Sequence, residues 1–406
     1  MNQVDAFHIL SKPAGPICNM NCEYCFYLEK ENLYPGEKSF RMPEPVLENY
    51  IRQYIETQQA PVITFAWQGG EPTLMGIDFF NKVVELQKKY AGKKSIENAF
   101  QTNGVNLDDA WCSFFAENNF LIGISIDGPR NVHDSYRVFK GDQPTFDKVM
   151  NGITLLRKHK VEFNTLTCVH RNNSGMGKII YRFLKKTGSR YMQFIPIVER
   201  RAETAVNNLS LVHPGYESSA GVTEWSCRPD EYGRFLSDVF DEWSDKDVGK
   251  IYVQMFDVTL ANWYGAPPGL CVHSETCGKS LALEHNGDLY SCDHFVYPEY
   301  RLGNIMNDSL GDMISSDFQE KFGKDKKSEL PAFCRSCEFR FACHGGCPKH
   351  RFTDSPDGEH GLNYFCPSYK MFFSYVEPYM KFMVGELHQQ RPPSNVMHWK
   401  KTLSGK

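Results

Sequence analysis

Residues 18–25 read CNMNCEYC and place Cys18, Cys22 and Cys25 at CxxxCxxC spacing, just behind the apolar run Phe7–Leu10. The 406-residue chain holds 14 cysteines, an even count that a small secreted scaffold would tie up in disulfides. Its opening stretch MNQVDAFHIL lacks the basic segment and long apolar segment of an export signal. A reducing cytoplasmic setting is therefore expected, and thiols at short regular spacings there read as metal ligands.

Outward from this loop, apolar runs alternate with amphipathic ones. Phe7–Leu10, Val62–Trp67, Ile96–Gln101, Phe120–Ile126, Val161–Val169 and Tyr191–Val198 read as strands. Glu44–Gln59, Phe79–Tyr90, Asp108–Asn118, Thr145–Lys158 and Lys178–Lys186 read as helices between them. The alternation predicts an α/β fold, a partial (β/α)6 TIM-like barrel with its active site at the C-terminal strand ends. QGGEP (Gln68–Pro72), QTNG (Gln101–Gly104) and SIDGP (Ser125–Pro129) all fall at such ends. Glu199–Arg228 is polar and reads as a surface loop, Pro229–Trp243 as a helix. From about Cys271 the chain turns cysteine-rich and turn-rich, as expected of a second domain held by metal rather than by a large core. Phe372–Leu387 reads as a closing helix and the tail from Arg391 as loosely ordered. The expected units are a barrel over 1–245, a cysteine-rich domain over 246–385 and a tail over 386–406. A net charge of −4 without a long basic block argues against a nucleic-acid partner, and no apolar run is long enough for a membrane span.

A four-iron cubane takes four thiolates, so three in one loop leave an iron open. An open position separates a catalytic metal site from a closed structural one. A zinc knuckle with a distant fourth ligand has the same spacing; the aromatic pair Phe26 and Tyr27 and the GGEP turn favour iron. Cys271, Cys277, Cys292, Cys334, Cys337, Cys343, Cys347 and Cys366 supply the eight thiols that two closed cubanes need, with a zinc ribbon as the rival. Gly345 and Gly346 permit a tight turn that sends Cys343 and Cys347 apart. Cys112 and Cys168 read as small buried residues, while Cys227 has no assignment.

CEYCFY, FAWQGGEPTL, FQTNG, GISIDGP, QFIP, YSCDHF, YRLGN, CRSC and HGGCPKHR are the specific pieces of a likeness that runs from about Phe7 to Met380. With these motifs the chain resembles the radical S-adenosylmethionine superfamily and, more narrowly, anaerobic sulfatase-maturating enzymes with a SPASM-type extension. The resemblance implies three 4Fe-4S clusters and S-adenosylmethionine, with Tyr24, Gly70, Ser125, Arg137 and Val198 lining the S-adenosylmethionine site; Val198 stands where leucine is expected. Gly70 would let backbone approach the methionyl amino group, and Arg137 would pair with its carboxylate. It also implies that Cys271, Cys277, Cys292 and Cys347 hold one auxiliary cluster, and Cys334, Cys337, Cys343 and Cys366 the other. Asp293, next to Cys292, would be the base, with burial and cluster charge expected to raise its pKa. The implied reaction oxidises a cysteine or serine of a sulfatase polypeptide to Cα-formylglycine, in a monomer reduced by a donor such as flavodoxin or ferredoxin. A peptide-crosslinking enzyme shares the three-cluster plan but usually adds an N-terminal precursor-binding domain, for which a first strand within ten residues of Met1 leaves no room. A pure electron-transfer protein would have no use for the open triplet.

Overall fold

Each run predicted as a strand forms one in the computed structural model, which describes residues 6–206, 208–216 and 219–403. β1 (His8–Lys12), β2 (Val62–Trp67), β3 (Ser95–Thr102), β4 (Phe120–Ser125), β5 (Phe163–Val169) and β6 (Tyr191–Pro196) lie side by side in chain order, all parallel. Helices Glu44–Thr57, Ile77–Tyr90, Asp109–Glu117, Phe146–Lys158 and Gly177–Thr187 fill the intervals. Side chains alternate across each strand, so Phe65 and Trp67 enter the core, where Trp67 meets Phe80 and Tyr50 edge-on at 5.7 and 5.9 Å between ring centres. The opposite face, with Gly123 and Ser125 on β4, is left for the lumen.

The polar stretch expected to be a loop instead forms a separate antiparallel sheet of β7 (Arg200–Val206), β8 (Leu209–Leu211) and β9 (Ala220–Val222). Most residues of β7, its longest strand, are exposed, so no clear alternation marks it in the sequence. It is anchored from outside, by Glu29 accepting the backbone N–H groups of Ser210 and Leu211 at 2.6 and 3.3 Å.

The cysteine-rich half is built into the barrel sheet. β10 (Tyr252–Val253) pairs with β6, and β11 (Ser280–Glu284) pairs in parallel with β1 from His8↔Ser280 to Lys12↔Glu284. β12 (Asp288–Tyr290) and β13 (Arg301–Asn304) follow in antiparallel, completing a ten-stranded sheet. β14 (Arg351–Asp354) and β15 (His360–Asn363) form a hairpin. This half also carries a long helix that its composition hid, Asp317–Ser328, and the closing helix expected over Phe372–Leu387, which runs from Cys366 to His388. The second runs past 385 and packs on helix Glu231–Lys246, with Phe372 against Phe240 and Phe256. The tail expected to be loose is docked as helix Val396–Leu403, its Trp399 stacked on Phe382 at 4.7 Å. Among the described residues no helix is long and apolar enough to cross a membrane.

Gly233 is the contact point of those two long helices. Its N–H donates to Ser368 Oγ at 2.8 Å, and a Cβ there would stand 2.5 Å from the Ser368 carbonyl oxygen. Gly233→Ala is expected to push the helices apart and cost about 1–3 kcal/mol, read as a lowered Tm with the secondary structure retained.

Candidate active site

β1 delivers the chain to a loop that folds over the strand ends and carries Cys18, Cys22 and Cys25, each within electrostatic reach of the others. The loop is pinned from below by the GGEP turn. Gly70 N–H donates to Gly15 O at 2.8 Å and Glu71 N–H to Ile17 O at 2.9 Å. A Cβ at Gly70 would lie 2.0 Å from the Ile17 carbonyl oxygen, so the space this glycine leaves is filled by the cysteine loop itself. Glu71, fully buried, accepts from Thr73 N–H, Thr102 Oγ1 and Asn103 N–H at 3.0, 2.9 and 2.8 Å. It thereby locks GGEP to QTNG, and Asn103 Nδ2 in turn points at Cys18 Sγ, 3.6 Å away.

Tyr24 is at the centre of a buried polar chain. Arg137 Nη1 donates to Tyr24 Oη at 2.7 Å, and Tyr24 Oη donates to Asp127 Oδ2 at 2.6 Å. Asp127 also takes the Cys168 N–H at 3.1 Å. Arg137 is only 6 % exposed, and its Nε is buried without an acceptor, a donor poised for an anion in the site. Ser125 Oγ accepts from Gln101 Nε2 at 2.9 Å on the lumen face. Val198 and its neighbour divide between two clusters. The Val198 side chain goes into the main core, while Ile197 packs beside Tyr24 and Cys22. Cys168 also faces this wall rather than the core, whereas Cys112 and Cys227 are fully buried core residues; its place in the core accounts for Cys227.

The remaining eight cysteines fall into two sets. Cys271, Cys277, Cys292 and Cys347 are electrostatic neighbours, as are Cys334, Cys337, Cys343 and Cys366. The second set lines one cavity with Phe333, Phe339, Tyr369 and Phe373. His344, Gly345 and Gly346, with φ of 48°, 72° and 61°, form the left-handed turn that parts Cys343 from Cys347. Lys326 buries its ammonium on the carbonyls of Cys271, Val272 and Ser274, and Arg351 bonds those of His344 and Gly345 at 2.9 and 3.1 Å. Among the described residues no three such groups converge as ligands of a single ion would. A cubane does not ask for that, because its thiolates occupy separate corners. Burial pushes the Cys18 and Cys343 thiols up to about 12, so both shed their protons only to a bound metal. Thiol donors in sets of three and four, walled by apolar side chains, fit iron–sulfur clusters.

Asp293 follows Cys292 directly, and its surroundings correct the expected pKa. Burial does push the carboxyl up, but Lys12 stands 2.5 Å away, and its charge, helped by His294 and Lys349, leaves the pKa below the ordinary value. Asp293 is thus an ionised carboxylate held by a lysine at the end of β1. Lys12 is 2 % exposed and also lies 3.7 Å from the centre of the Tyr27 ring, whose hydroxyl donates to Glu284. Sequence reading missed Lys12; its one signal is a lysine closing an apolar strand directly before the cysteine loop.

A three-thiol loop over parallel strand ends, backed by two four-thiol sets, defines a radical S-adenosylmethionine enzyme with an iron–sulfur extension. The Radical SAM superfamily model matches residues 13–183 and the iron-sulfur cluster-binding SPASM domain residues 271–338. The chain belongs to the anaerobic sulfatase-maturating enzymes. It is 47% identical over 391 residues to the serine-type enzyme of Bacteroides thetaiotaomicron, covering 96% of this chain and 94% of that one. To the cysteine-type enzyme of Clostridium novyi it is 34% identical over 369 residues, covering 90% and 94%. The structure of native anSMEcpe with bound AdoMet and Cp18Cys peptide superposes with a TM-score of 0.80 at 31% identity, covering 94% of this chain and 100% of that one. The family's reaction is oxidation of cysteine or serine to formylglycine, with S-adenosylmethionine and 4Fe-4S clusters as cofactors.

Tyr24→Phe removes the hydroxyl between Arg137 and Asp127 without opening space. Arg137 and Asp127 then face each other at 3.9 Å without the bridging hydroxyl, and the loss of its hydrogen bonds, about 1–3 kcal/mol, is expected to lower S-adenosylmethionine affinity by about fivefold or more in equilibrium binding while iron content is unchanged.

Proposed function

We propose that this enzyme oxidises a serine of a sulfatase polypeptide to Cα-formylglycine, with cysteine the poorer substrate. The observation that carries the chemistry is the buried Lys12–Asp293 pair, a carboxylate kept ionised beside Cys292. The serine preference is supported by 47% identity to a serine-type relative against 34% to a cysteine-type one. In this reading Cys18, Cys22 and Cys25 hold the open cluster. Cys271, Cys277, Cys292 and Cys347 hold the first auxiliary cluster, and Cys334, Cys337, Cys343 and Cys366 the second. When bound, the open cluster and S-adenosylmethionine supply a 5′-deoxyadenosyl radical able to take an unactivated hydrogen. Arg137 receives the methionyl carboxylate on its free Nε, with Tyr24, Gly70, Ser125 and the Val198 backbone framing the same site. Asp293 accepts the substrate hydroxyl proton, Lys12 holds it in place and ionised until then, and the auxiliary cluster that Cys292 would help hold would take the remaining electron.

We further assign the chain to the cytoplasm as a monomer, reduced by a flavodoxin or ferredoxin; thiols gathered in ligand sets rather than disulfides support a reducing setting. The family matches at 13–183 and 271–338 fall on either side of position 245, which supports a barrel over 1–245, a SPASM-type unit over 246–385 and a tail over 386–406.

Peptides carrying serine or cysteine followed by x-Pro-x-Arg test the reading by mass spectrometry. The serine peptide is expected to lose two hydrogens and to turn over faster than its cysteine twin. Unmodified peptides alongside continued 5′-deoxyadenosine formation would transfer the assignment to peptide crosslinking. Asp293→Asn keeps the shape but takes no proton. Product formation is expected to fall by about 10²-fold or more, with iron content and S-adenosylmethionine binding intact. Loss of iron would instead make Asp293 a support for the cluster.

A further inference from the structure

Thr145 stands at the N-terminal cap of the helix Phe146–Lys158, yet its hydroxyl makes no bond to that helix. Threonine is common at such a position because its side chain ordinarily accepts an N–H of the first turn. Here Asp134 takes over that task, accepting the N–H groups of Thr145 and Phe146 at 2.9 Å each. The hydroxyl is spent elsewhere. Thr145 Oγ1 donates to the Arg137 carbonyl oxygen at 2.6 Å and lies 3.0 Å from His133 Nε2. His133 Nδ1 in turn accepts the Asp127 N–H at 3.4 Å. With Nδ1 an acceptor, the ring proton sits on Nε2 and is donated to Thr145, which leaves the threonine hydrogen for Arg137. Burial, with the Arg137 charge adding to it, lowers the His133 pKa to about 3, so the ring stays neutral and keeps this order.

Two branches from Asp127 thus meet on Arg137. The carboxylate reaches the guanidinium through Tyr24, and the backbone N–H reaches the Arg137 carbonyl through His133 and Thr145. Asp127, His133 and Thr145 are all fully buried, so each of these bonds is shielded from water. The Arg137 N–H also donates to His133 O at 3.0 Å. On either side of Arg137 the chain pairs with the cysteine loop. The carbonyls of Tyr136 and Val138 accept from Glu23 and Asn21, the residues flanking Cys22, at 3.2 and 2.8 Å. Arg137 is therefore held at its backbone and at its guanidinium, in register with the cysteine loop, while its buried Nε keeps no acceptor. A planar guanidinium meets a carboxylate within narrow limits of angle as well as distance, so holding both ends decides whether that free N–H points at the ligand.

We propose that His133 and Thr145 are positioning residues for S-adenosylmethionine, holding the backbone of Arg137 so that its guanidinium faces the methionyl carboxylate. The proposal rests on the reading of Arg137 as the receptor of that carboxylate. Both residues act through Arg137, by keeping it in one binding-competent arrangement, and their removal lowers affinity by the fraction of molecules that leave it.

The test is equilibrium binding of two ligands to the holoenzyme, S-adenosylmethionine and its decarboxylated analogue, which has no group for Arg137 to receive. Thr145→Val keeps the shape and removes the hydroxyl. It is expected to raise Kd for S-adenosylmethionine about fivefold and Kd for the analogue by less than about twofold, with iron content unchanged. Thr145→Ser returns the hydroxyl and is expected to bring S-adenosylmethionine back to within about twofold of wild type. Equal weakening of both ligands by Thr145→Val marks a packing role, and no weakening of either marks no role; each overturns the proposal. Should Thr145→Val lose iron, His133→Asn takes its place. It keeps an acceptor for Asp127, is too short to reach Thr145, and is judged by the same outcomes. Arg137→Leu separates the proposal from the reading beneath it. If Arg137→Leu weakens S-adenosylmethionine alone while Thr145→Val does not, Arg137 remains the receptor and His133 and Thr145 lose their role. If Arg137→Leu weakens both ligands alike, the receptor reading fails and the proposal falls with it.

Discussion

β1 is paired on both sides, and much else follows from that. One edge meets β2 at Leu10↔Ala66 and Ser11↔Trp67, and the other meets β11 along all five residues. The strand therefore fixes, in one rigid unit, where the three-cysteine loop begins and where the second half of the chain attaches. Parallel neighbours cannot be joined by a tight turn, so β11 comes to β1 only after the whole barrel has been laid down. Lys12 is the last residue of β1, and Asp293 follows β12 by a few residues. Their 2.5 Å contact is a direct consequence of the sheet register. A one-residue slip of β1 against β11 would turn Lys12 to the opposite face and leave Asp293 buried without a counter-charge.

The seam beneath the cysteine loop is unusually rich in buried charge. Besides Lys12 and Asp293, Lys349 meets Glu199 at 2.5 Å with both side chains about nine-tenths buried, and Tyr27 donates to Glu284. Lys30 has no hydrogen-bond acceptor and lies 3.1 Å from the centre of the Tyr297 ring; burial, with Lys349 adding to it, lowers its pKa to about 7. Such pairs contribute little net stability, because desolvation offsets most of the attraction. Their effect is on geometry, since removing one partner strands the other at a cost of about 3–5 kcal/mol. The three-stranded sheet at 200–222, the loop after Cys25 and the Cys347 turn are held together by Glu29, Glu199 and Lys349 in this way.

Spacing made the cysteines legible from sequence, because ligand sets recur at short intervals and the sets gather where the chain turns. Strands β1 to β6 were legible for a related reason. Each is buried on its helix side, and period-two burial leaves its mark on composition. What escaped has a common cause, namely partners that are distant in the chain. β7 to β9 bury too little to alternate and depend on Glu29. The tail helix is held by Phe382 and by the helix Glu231–Lys246. The close packing of Gly70 under Ile17 belongs here too, because the carbonyl that a Cβ would strike lies some fifty residues earlier in the chain. Asp293 was expected to have a raised pKa from its two local features, burial and a cluster ligand next door. The lysine that reverses the shift stands near the other end of the chain. Just past the end of β6, Val198 turns its side chain to the main core and Ile197 turns toward Tyr24, a division that only the three-dimensional packing shows.

Building the second half into the barrel sheet answers a geometric demand of the chemistry. A hydrogen must leave a carbon and a proton must leave the heteroatom bonded to it, so two groups from different parts of the chain have to address adjacent atoms of one side chain. An error of about 1 Å at such a site costs on the order of 10²-fold in rate. A flexible linker between two domains would let the Tyr24–Arg137 wall and Asp293 drift by more than that. Strand pairing between β1 and β11 does not, because backbone hydrogen bonds along five residues resist both sliding and hinging.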